Sequence, residues 1–327
     1  MTHDDSLVDA DACALARHAA DGLARTPKQL SSSWLYDAEG SRLFQQIMDL
    51  PEYYLTRVEH SILRDQAQAI SACIAPGVAA VDLIELGSGD GAKTLTLLQR
   101  LMQRSAPVVY HPFDISAHAI AELSQRFANE LPQLKLTPTS GDYFTHWPTL
   151  SDVNRQVAMF LGSNLGNFSH LEAVSFLQRI RSFLRPHDGL LLGVDLQKDP
   201  SIILAAYDDS QHITAAFNMN LLRRLNREIG TDFVLDQFHH YASYSPLDGA
   251  ARSFLVSRTK QTVRAAQLDL SVDFAAGECI YVEQSQKYTV PMIDELAAAG
   301  GFQREQIFFD AQQWYAVVYL SATSTTV

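Results

Sequence analysis

The feature of this sequence that most constrains its fold is a glycine-rich turn between an apolar run and an amphipathic segment. The run Val78–Leu86 is almost continuously apolar, which is typical of a strand buried on both faces of a sheet. It leads into the loop Glu85–Gly91 (ELGSGDG), whose glycines let the backbone turn sharply and let a ligand approach closely. The segment Lys93–Arg104 then shows the apolar spacing of a helix. This order of strand, turn and helix predicts an α/β fold with a ligand-binding edge.

The segments that follow alternate between strand and helix patterns, which indicates a parallel sheet covered on both faces. Strands are predicted at Val108–Asp114, Leu134–Thr139, Val157–Leu161 and Leu190–Leu196, and a helix at Ala117–Glu130. The C-terminus differs, because 306–310 (QIFFD) and 314–322 (WYAVVYLSA) are two strand patterns joined by a short polar turn. A parallel sheet that ends in such an antiparallel hairpin is typical of class I methyltransferases and not of nicotinamide dehydrogenases.

The rest of the chain is predicted to form a second lobe. The long insertion after Leu196 contains a helix-like part (201–229) and a strand-rich part (233–288). A helix expected at Val58–Ala75 belongs instead to the domain of the glycine loop. We therefore predict one domain that carries the glycine loop and a second domain built from the N-terminal helices and the insertion. Their predicted ranges are 58–195 with 288–327, and 1–57 with 196–287.

Composition narrows the class of partner. The net charge is −12 with no stretch rich in Lys and Arg, which argues against nucleic acid. No apolar run approaches the ~20 residues of a membrane span, and the acidic N-terminus lacks the pattern of a signal peptide. Cys13, Cys73 and Cys279 form no close pair, and the adjacent His239 and His240 would face opposite ways on a strand. We expect a cytoplasmic monomer that binds no metal, no membrane and no nucleic acid, and that acts on a small molecule.

Two carboxylates and a lysine accompany the glycine loop. Asp114 ends the second strand, where it can accept both hydroxyls of a ribose, and Asp142 follows the third strand, where it can receive an adenine amino group beside Tyr143. The loop spacing is G-x-G-x-G and not the dinucleotide G-x-G-x-x-G, and with the hairpin it favours S-adenosylmethionine. Each aspartate alone also suits a helix N-cap or a turn. Lys93 is either a surface lysine or a partner for the cofactor carboxylate.

Several segments together resemble the histidine Nα-methyltransferases of ergothioneine biosynthesis, a family that includes fungal N-methyltransferases of indolic amino acids. These segments are 36–41 (YDAEGS), 50–59 (LPEYYLTRVE), 84–94 (IELGSGDGAKT), 160–168 (FLGSNLGNF), and 205–209 (AAYDD) with 214–222 (TAAFNMNLL). The resemblance runs from about Tyr36 to the C-terminus. It implies a Rossmann-like class I methyltransferase domain with a substrate-binding lobe. It also implies three successive methyl transfers from S-adenosylmethionine to the α-amine of histidine, giving hercynine.

The resemblance also assigns site residues and domain roles. The residues that should hold S-adenosylmethionine are Gly87, Lys93, Asp114, Asp142 and Tyr143. The residues that should bind the amino acid are Tyr53, Gly162, Asn167 and Tyr207 at its head group, and Glu283 and Ser285 at its imidazole. The domain of 1–57 and 196–287 then becomes the amino-acid-binding domain.

The chemistry of amine methylation suits two of these residues as the catalytic pair. The displacement at a sulfonium methyl group needs no covalent nucleophile and no metal, but the amine must be neutral and aligned. Asn167 can accept an N–H and so aim the lone pair, and Tyr53 can hydrogen-bond the amine or a water beside it. Removing the amine from water favours its neutral form. A turn after Gly166 and a packed core tyrosine are the structural alternatives for these two residues.

The imidazole-binding residues decide the substrate. Glu283 and Ser285 are two apart on a predicted strand, so they point to one face, where a carboxylate and a hydroxyl can bind the ring nitrogens. A solvent-facing polar edge would show the same pattern. Phe254 occupies a position where histidine-specific relatives, as we interpret the family, carry methionine. This departure leaves open tryptophan or another aromatic amino acid as the alternative substrate. A binding protein without turnover is a further alternative.

Overall fold

The structure is a computed structural model that describes residues 3–77, 80–104, 107–144, 147–265 and 270–324. The chain divides into two compact units. Unit 1 comprises Met1–Tyr54 and Lys198–Ser285, and unit 2 comprises Leu55–Gln197 and Gln286–Val327. No helix in the described part of the chain is long and apolar enough to cross a bilayer.

The helices and strands of the described residues are given in chain order. The helices are α1 (His3–Leu23), α2 (Ala38–Asp49), α3 (Leu55–Asp65), α4 (Ala67–Ile74), α5 (Leu95–Met102), α6 (Ala117–Glu130), α7 (His170–Phe183), α8 (Pro200–Tyr207), α9 (Ile213–Ile229) and α10 (Val290–Ala299). The strands are β1 (Lys28–Gln29), β2 (Val81–Leu86), β3 (Val108–Asp114), β4 (Lys135–Leu136), β5 (Thr139–Ser140), β6 (Arg155–Phe160), β7 (Gly189–Asp195), β8 (Phe238–Ser245), β9 (Ala250–Ser257), β10 (Gln261–Ala265), β11 (Leu270–Phe274), β12 (Cys279–Gln286), β13 (Phe302–Phe309) and β14 (Tyr315–Ala322).

Unit 2 is built on an eight-stranded sheet of order β13–β14–β7–β6–β2–β3–β4, with β5 also paired to β3. The strands from β7 to β4 run parallel, and β14 is antiparallel to both β7 and β13. β2 and β7 are buried along their whole length, as expected for parallel strands covered on both faces. The α/β class I methyltransferase sheet with its C-terminal antiparallel hairpin is confirmed.

The side chains of successive strand residues in unit 2 pack alternately into two cores, one on each face of the sheet. On β6, Ala158 and Phe160 belong to the core beneath α7 and α10, whereas Val157 and Met159 belong to the core beneath α3, α4 and α5. Each fully buried aliphatic or aromatic side chain of this kind contributes roughly 1.5–3 kcal/mol. Each face of the sheet is therefore covered by its own apolar core.

Three predicted boundaries in unit 2 are wrong. The predicted helix Val58–Ala75 is two helices, α3 and α4, separated at Gln66, whose side chain donates to the carbonyl of Phe309 (2.8 Å). The predicted helix Lys93–Arg104 begins only at Leu95, because the glycine turn continues through Thr94. The predicted strand Leu134–Thr139 is the two short strands β4 and β5, separated at Pro138, which has no N–H for a ladder. Of the predicted strand Val78–Leu86, residues 78–79 lie outside the described residues.

Unit 1 contains a four-stranded sheet of order β1–β12–β9–β8 and a separate β10–β11 ribbon. The helix-like part 201–229 is two helices, α8 and α9, because Asp209 accepts N–H bonds from Ile213 (3.0 Å) and Thr214 (2.7 Å) and so begins a new helix. The core of unit 1 packs Leu221 and Leu225 of α9 with Ile280 and Val282 of β12. This core therefore covers one face of β12.

A fully buried ion pair in unit 2 gives a test of stability. Lys287 Nζ lies 2.8 Å from Asp195 Oδ2 at the end of β7, and both side chains are fully buried. We predict that Lys287→Met lowers the free energy of unfolding by about 3–5 kcal/mol, because it leaves a buried carboxylate without its ion-pair partner. Denaturant unfolding measures this. The control Arg42→Ala removes an exposed ion pair with Glu39 and should leave the midpoint nearly unchanged. Equal stability of Lys287→Met and the wild type would contradict the expectation.

A second buried carboxylate, Glu85 at the end of β2, gives a test of pH dependence. It accepts hydrogen bonds from Thr94 Oγ1 (2.7 and 2.8 Å) and from the Tyr110 hydroxyl. Burial raises the pKa of Glu85 from 4.5 to about 7, although these donors and Lys93 oppose the shift. Because this pKa is raised on folding, the contribution of Glu85 to stability is complete below pH 4.5 and is lost as pH rises through 7.

We predict that wild-type stability, measured relative to Glu85→Gln, falls by about 2–3 kcal/mol between about pH 5 and pH 8. Urea unfolding of both proteins across this range measures the difference, and other titrating groups cancel in the comparison. Parallel stability curves for the two proteins would show that Glu85 ionises in the folded state as it does in water.

Candidate functional site

The glycine turn after β2 forms the first part of the site. Gly87, Gly89 and Gly91 all have positive φ angles (+72°, +55° and +70°), which glycine adopts without strain. A side chain at Gly91 would meet Phe127 at 2.7 Å, whereas among the described residues no atom beyond the chain neighbours lies within 4 Å of the position of a Cβ at Gly89. The backbone at Gly89 therefore faces open space that a ligand can enter.

Asp114 ties this turn to the end of β3. Its Oδ2 accepts the N–H of Gly89 (2.9 Å), and its Oδ1 accepts the N–H of Ser116 (2.9 Å). Each carboxylate oxygen has a second lone pair, so Asp114 can hold the turn and still accept a ribose hydroxyl. The turn role and the ligand role that the sequence left as alternatives are thus compatible.

Asp142 and Tyr143 lie on the turn after β5. Asp142 Oδ1 accepts the N–H of Phe144 (2.7 Å), which makes an Asx turn. The Tyr143 ring packs on Phe160 and Phe176, with centroids 6.1 and 6.0 Å away. Burial raises the pKa of Tyr143 to about 12, and the charges of Asp142 and Asp114 add to the rise. The two aspartates predicted to bind the nucleoside are therefore brought together near one tyrosine.

Lys93 lies just before α5 and is paired within the protein. Its Nζ is 3.0 Å from Glu59 Oε2, with 31% of the lysine side chain accessible and 1% of the glutamate. Burial alone would lower the pKa of Lys93, but Glu59, with smaller contributions from Glu85 and Asp90, outweighs burial, and the net shift is upward. An ammonium has three N–H donors, so Lys93 retains donors for a ligand carboxylate. Open backbone, ribose-type acceptors and a charged lysine fit S-adenosylmethionine.

The segment after β6 supplies the residues predicted to contact the amine. Gly162 has a φ angle of +82°, and its N–H donates to Glu59 Oε1 (2.7 Å). Because this N–H is already bonded, Gly162 can contact a substrate only through its carbonyl or its Cα. A 3₁₀ turn covers Asn164–Asn167, and the side-chain amide of Asn167 makes no hydrogen bond with any described residue. Asn167 therefore does not stabilise that turn through its side chain.

Unit 1 holds the residues predicted to bind the ring of the amino acid. Ile280 and Val282 enter the core, so Tyr281, Glu283 and Ser285 lie on the opposite face of β12. The Phe254 ring on β9 is 5.7 Å from the Tyr281 ring, centroid to centroid. Phe254 therefore lies on the face that carries Glu283.

Tyr36 is a residue to which the sequence analysis assigned no role in binding or catalysis. Burial raises its pKa well above the ordinary value, and the charges of Glu283, Tyr53 and Tyr207 raise it further. Three predicted substrate-binding residues therefore lie close enough to Tyr36 to act on the charge of its hydroxyl, and 43% of the residue surface is accessible. The signal available in the sequence was its place in the segment 36–41, directly before Asp37.

The local sequence explains how Tyr36 is held. Asp37 begins α2 by accepting the N–H of Gly40 (2.7 Å), and it also accepts from Asn220 (2.7 Å) on α9. The Tyr36 ring then packs edge-on against Phe44 and Phe217, each 5.5 Å away between centroids. Aromatic rings around an accessible tyrosine are chemically suited to an amino-acid substrate and its methylated amine.

The predicted site residues are divided between the two units. Gly162 and Asn167 belong to unit 2 with the predicted cofactor residues, whereas the remaining substrate residues belong to unit 1: Tyr53, Tyr207, Phe254, Glu283 and Ser285. Across the described ranges, no group of three or more His, Cys, Asp or Glu side chains could hold a metal ion.

Comparison with known proteins identifies the family. The model of the histidine-specific, S-adenosylmethionine-dependent methyltransferases matches residues 15–322. A histidine N-alpha-methyltransferase of Mycolicibacterium smegmatis is 41% identical over 293 residues, which is 89% of this chain and 90% of that protein. One from Mycobacterium tuberculosis is 40% identical over 294 residues, with the same coverage of 89% and 90%. Ergothioneine biosynthesis protein 1 of Neurospora crassa is 31% identical over 287 residues, which is 85% of this chain but 31% of that protein.

The range matched by the family model includes every residue that the sequence analysis assigned to the site. The chain belongs to the histidine-specific, S-adenosylmethionine-dependent methyltransferase family.

Proposed function

We propose that this enzyme transfers three methyl groups in succession from S-adenosylmethionine to the α-amine of L-histidine, giving hercynine for ergothioneine biosynthesis. The observation that carries the proposal is the polar face of β12, where Glu283 and Ser285 follow Tyr281, whose ring packs against Phe254. The family model that matches the chain is histidine-specific. Relatives similar over 90% of their own length are named histidine N-alpha-methyltransferases, which supports the same substrate here.

We assign the donor to unit 2. S-Adenosylmethionine supplies a sulfonium methyl group that a neutral amine can displace. Asp114 and Asp142 accept from the nucleoside, Tyr143 covers its ring, and the free N–H donors of Lys93 bind its carboxylate. Gly87, with a φ angle of +72°, lets the backbone turn and approach the donor closely. The predicted domain of 58–195 and 288–327 is accordingly the donor-binding domain in this proposal.

The amine is prepared by two residues. In the first two transfers, Asn167 accepts an N–H of the neutral amine through its side-chain oxygen, which leaves the lone pair directed at the methyl group. Each transfer forms an N–C bond, breaks the S–C bond and releases S-adenosylhomocysteine, and the ammonium formed loses a proton to water before the next transfer. The neutral dimethylated amine has no N–H, so its third transfer depends on alignment alone. The role of Asn167 is supported by its half-buried amide, which no described residue engages. The Tyr53 hydroxyl bonds the amine or a water, and the surrounding protein favours the neutral amine by excluding water. The carbonyl of Gly162 is a further acceptor for the head group.

The carboxylate and ring of histidine are assigned to unit 1, within the predicted domain of 1–57 and 196–287. Tyr207 donates its hydroxyl to the substrate carboxylate. Glu283 accepts from an imidazole N–H, and Ser285 bonds the other ring nitrogen as donor or acceptor. A site built to hydrogen-bond a ring discriminates strongly against an apolar analogue, since its buried polar groups would be left unpaired. Phe254 offers a face for stacking on the imidazole.

Mass spectrometry of the reaction products tests the substrate. The purified enzyme with S-adenosylmethionine and an equimolar mixture of histidine and tryptophan is expected to give mono-, di- and trimethylated histidine, with the trimethylated form accumulating. Methylated tryptophan as the main product would support the aromatic alternative that Phe254 raises. Donor binding without any methylated amino acid would instead indicate a binding protein.

The role of Glu283 has its own test. We predict that Glu283→Gln lowers kcat/KM for histidine by about 10- to 100-fold, since it removes a charged hydrogen bond to the ring. Steady-state rates with histidine at saturating donor measure this effect. Asp273→Asn is the matched control, because that carboxylate lies on the β10–β11 ribbon and bonds Thr262. An equal loss of kcat/KM in the two variants would show that Glu283 does not bind the substrate.

The proposal extends to the oligomeric state of the enzyme and to its location in the cell. We propose a monomer that works on this small-molecule substrate in the cytoplasm and needs no metal. A single species near 36.3 kDa in size-exclusion chromatography with light scattering is the expected result. A dimer at micromolar concentration would overturn the monomer.

A further inference from the structure

Glu59, on α3, is a buried carboxylate to which the mechanism above assigns no role. Its side chain is 1% exposed, and both oxygens are engaged within unit 2. Oε1 accepts the Gly162 N–H (2.7 Å) and the Tyr315 hydroxyl (2.6 Å), and Oε2 accepts from Lys93 Nζ (3.0 Å). One carboxylate thus joins the lysine assigned to the donor, the turn that leads to Asn167, and a strand of the C-terminal hairpin.

The sheet leaves room for this carboxylate at one residue. Gly193 lies in the middle of β7, and a Cβ there would come within 2.2 Å of Glu59 Oε1 and 2.8 Å of the Tyr315 hydroxyl. Any other residue at this position would push the carboxylate away from its partners. Gly193 has no unusual φ angle that would call for glycine, so the space for Glu59 is the physical reason for a glycine here.

We propose that Glu59 is a positioning residue for methyl transfer, which holds Lys93 for the donor carboxylate and fixes the Gly162 turn that presents Asn167. The proposal rests on the roles assigned above to Lys93 and Asn167. It assigns Glu59 no contact with either substrate.

The two carboxylate oxygens of Glu59 have different partners, so a positioning role can be distinguished from a contribution to the stability of the core. Oε2 alone serves Lys93, and Oε1 alone serves Gly162 and Tyr315. A flexible lysine loses rotamer freedom when it binds a ligand carboxylate, and a fixed partner reduces that loss in advance. The Gly162 bond restrains a backbone with a positive φ angle, which orients the turn that follows.

Glu59→Gln separates these functions, because an amide keeps one acceptor oxygen and loses the other. The retained oxygen can still accept from Gly162 and Tyr315, whereas Lys93 loses its charged partner. We expect S-adenosylhomocysteine, which carries the amino-acid arm of the donor, to bind about 10-fold more weakly. 5′-Methylthioadenosine lacks that arm and should bind within about twofold of the wild type. Calorimetric titration of the full-length protein with both ligands measures the ratio.

Tyr315→Phe is the matched control. It removes one hydrogen bond from Oε1 and leaves the Lys93 bond on Oε2, so it should change thermal stability without changing the ratio of the two affinities. In steady-state kinetics, Glu59→Gln should raise KM for S-adenosylmethionine about 10-fold and change kcat by no more than a few-fold. A purely structural role would lower the affinities for S-adenosylhomocysteine and 5′-methylthioadenosine together, and it would not raise KM selectively over kcat.

Gly193→Ala tests the role of Glu59 without changing the charge of its carboxylate. This variant tests the proposal even if Glu59→Gln does not fold. The added methyl group displaces Glu59, so S-adenosylhomocysteine should again be weakened selectively. Equal weakening of both ligands, or no weakening of either, would overturn the proposal. The binding measurements need no amino-acid substrate, so a wild-type enzyme that methylates a different amino acid would overturn the proposed function and leave the role of Glu59 standing.

Discussion

Burial of the parallel strands on both faces is the constraint on which unit 2 depends. β2 and β7 have no exposed residue, so their backbone groups pair along the ladder and their polar side chains must be bonded internally. Chemistry is then available mainly where the strands end. The glycine turn follows β2, Asp114 ends β3, and the Gly162 turn follows β6. Parallel strands bring these ends to one edge of the sheet, which is where open α/β folds bind their ligands.

The charges that do lie inside the sheet region are each matched by particular donors. Asp195 pairs with Lys287, and Glu85 accepts from Thr94 and Tyr110. Glu59 differs from both, because its partners include residues that the proposed mechanism uses directly. A buried carboxylate of this kind costs desolvation energy, and that cost is offset only while all its donors remain in place. The position of Lys93 and the path of the Gly162 turn are therefore coupled through one side chain.

Much of the fold could be predicted because its signals are local. Apolar runs, glycine turns and the hairpin at 306–322 follow from periodicity and turn chemistry, and the sheet they predicted is present. The errors occur where a tertiary contact or a single residue interrupts a continuous pattern. Gln66 separates α3 from α4 and bonds the Phe309 carbonyl far along the chain, and Pro138 breaks the strand between β4 and β5. Hydrophobic periodicity carries no information about such a contact.

For the site, the sequence by itself determined the family, the glycine turn, the strand-end aspartates and the shared face of Glu283 and Ser285, since each depends on short-range order or on strand alternation. Only the tertiary structure showed that Tyr53, Tyr207 and Glu283 act on the charge of the Tyr36 hydroxyl, and that Glu59 engages both Lys93 and Gly162. The physical reason is that these groups are far apart in sequence. Burial and charge–charge contacts arise from packing, which places distant segments side by side. The hydrophobic periodicity of a single segment does not record such contacts.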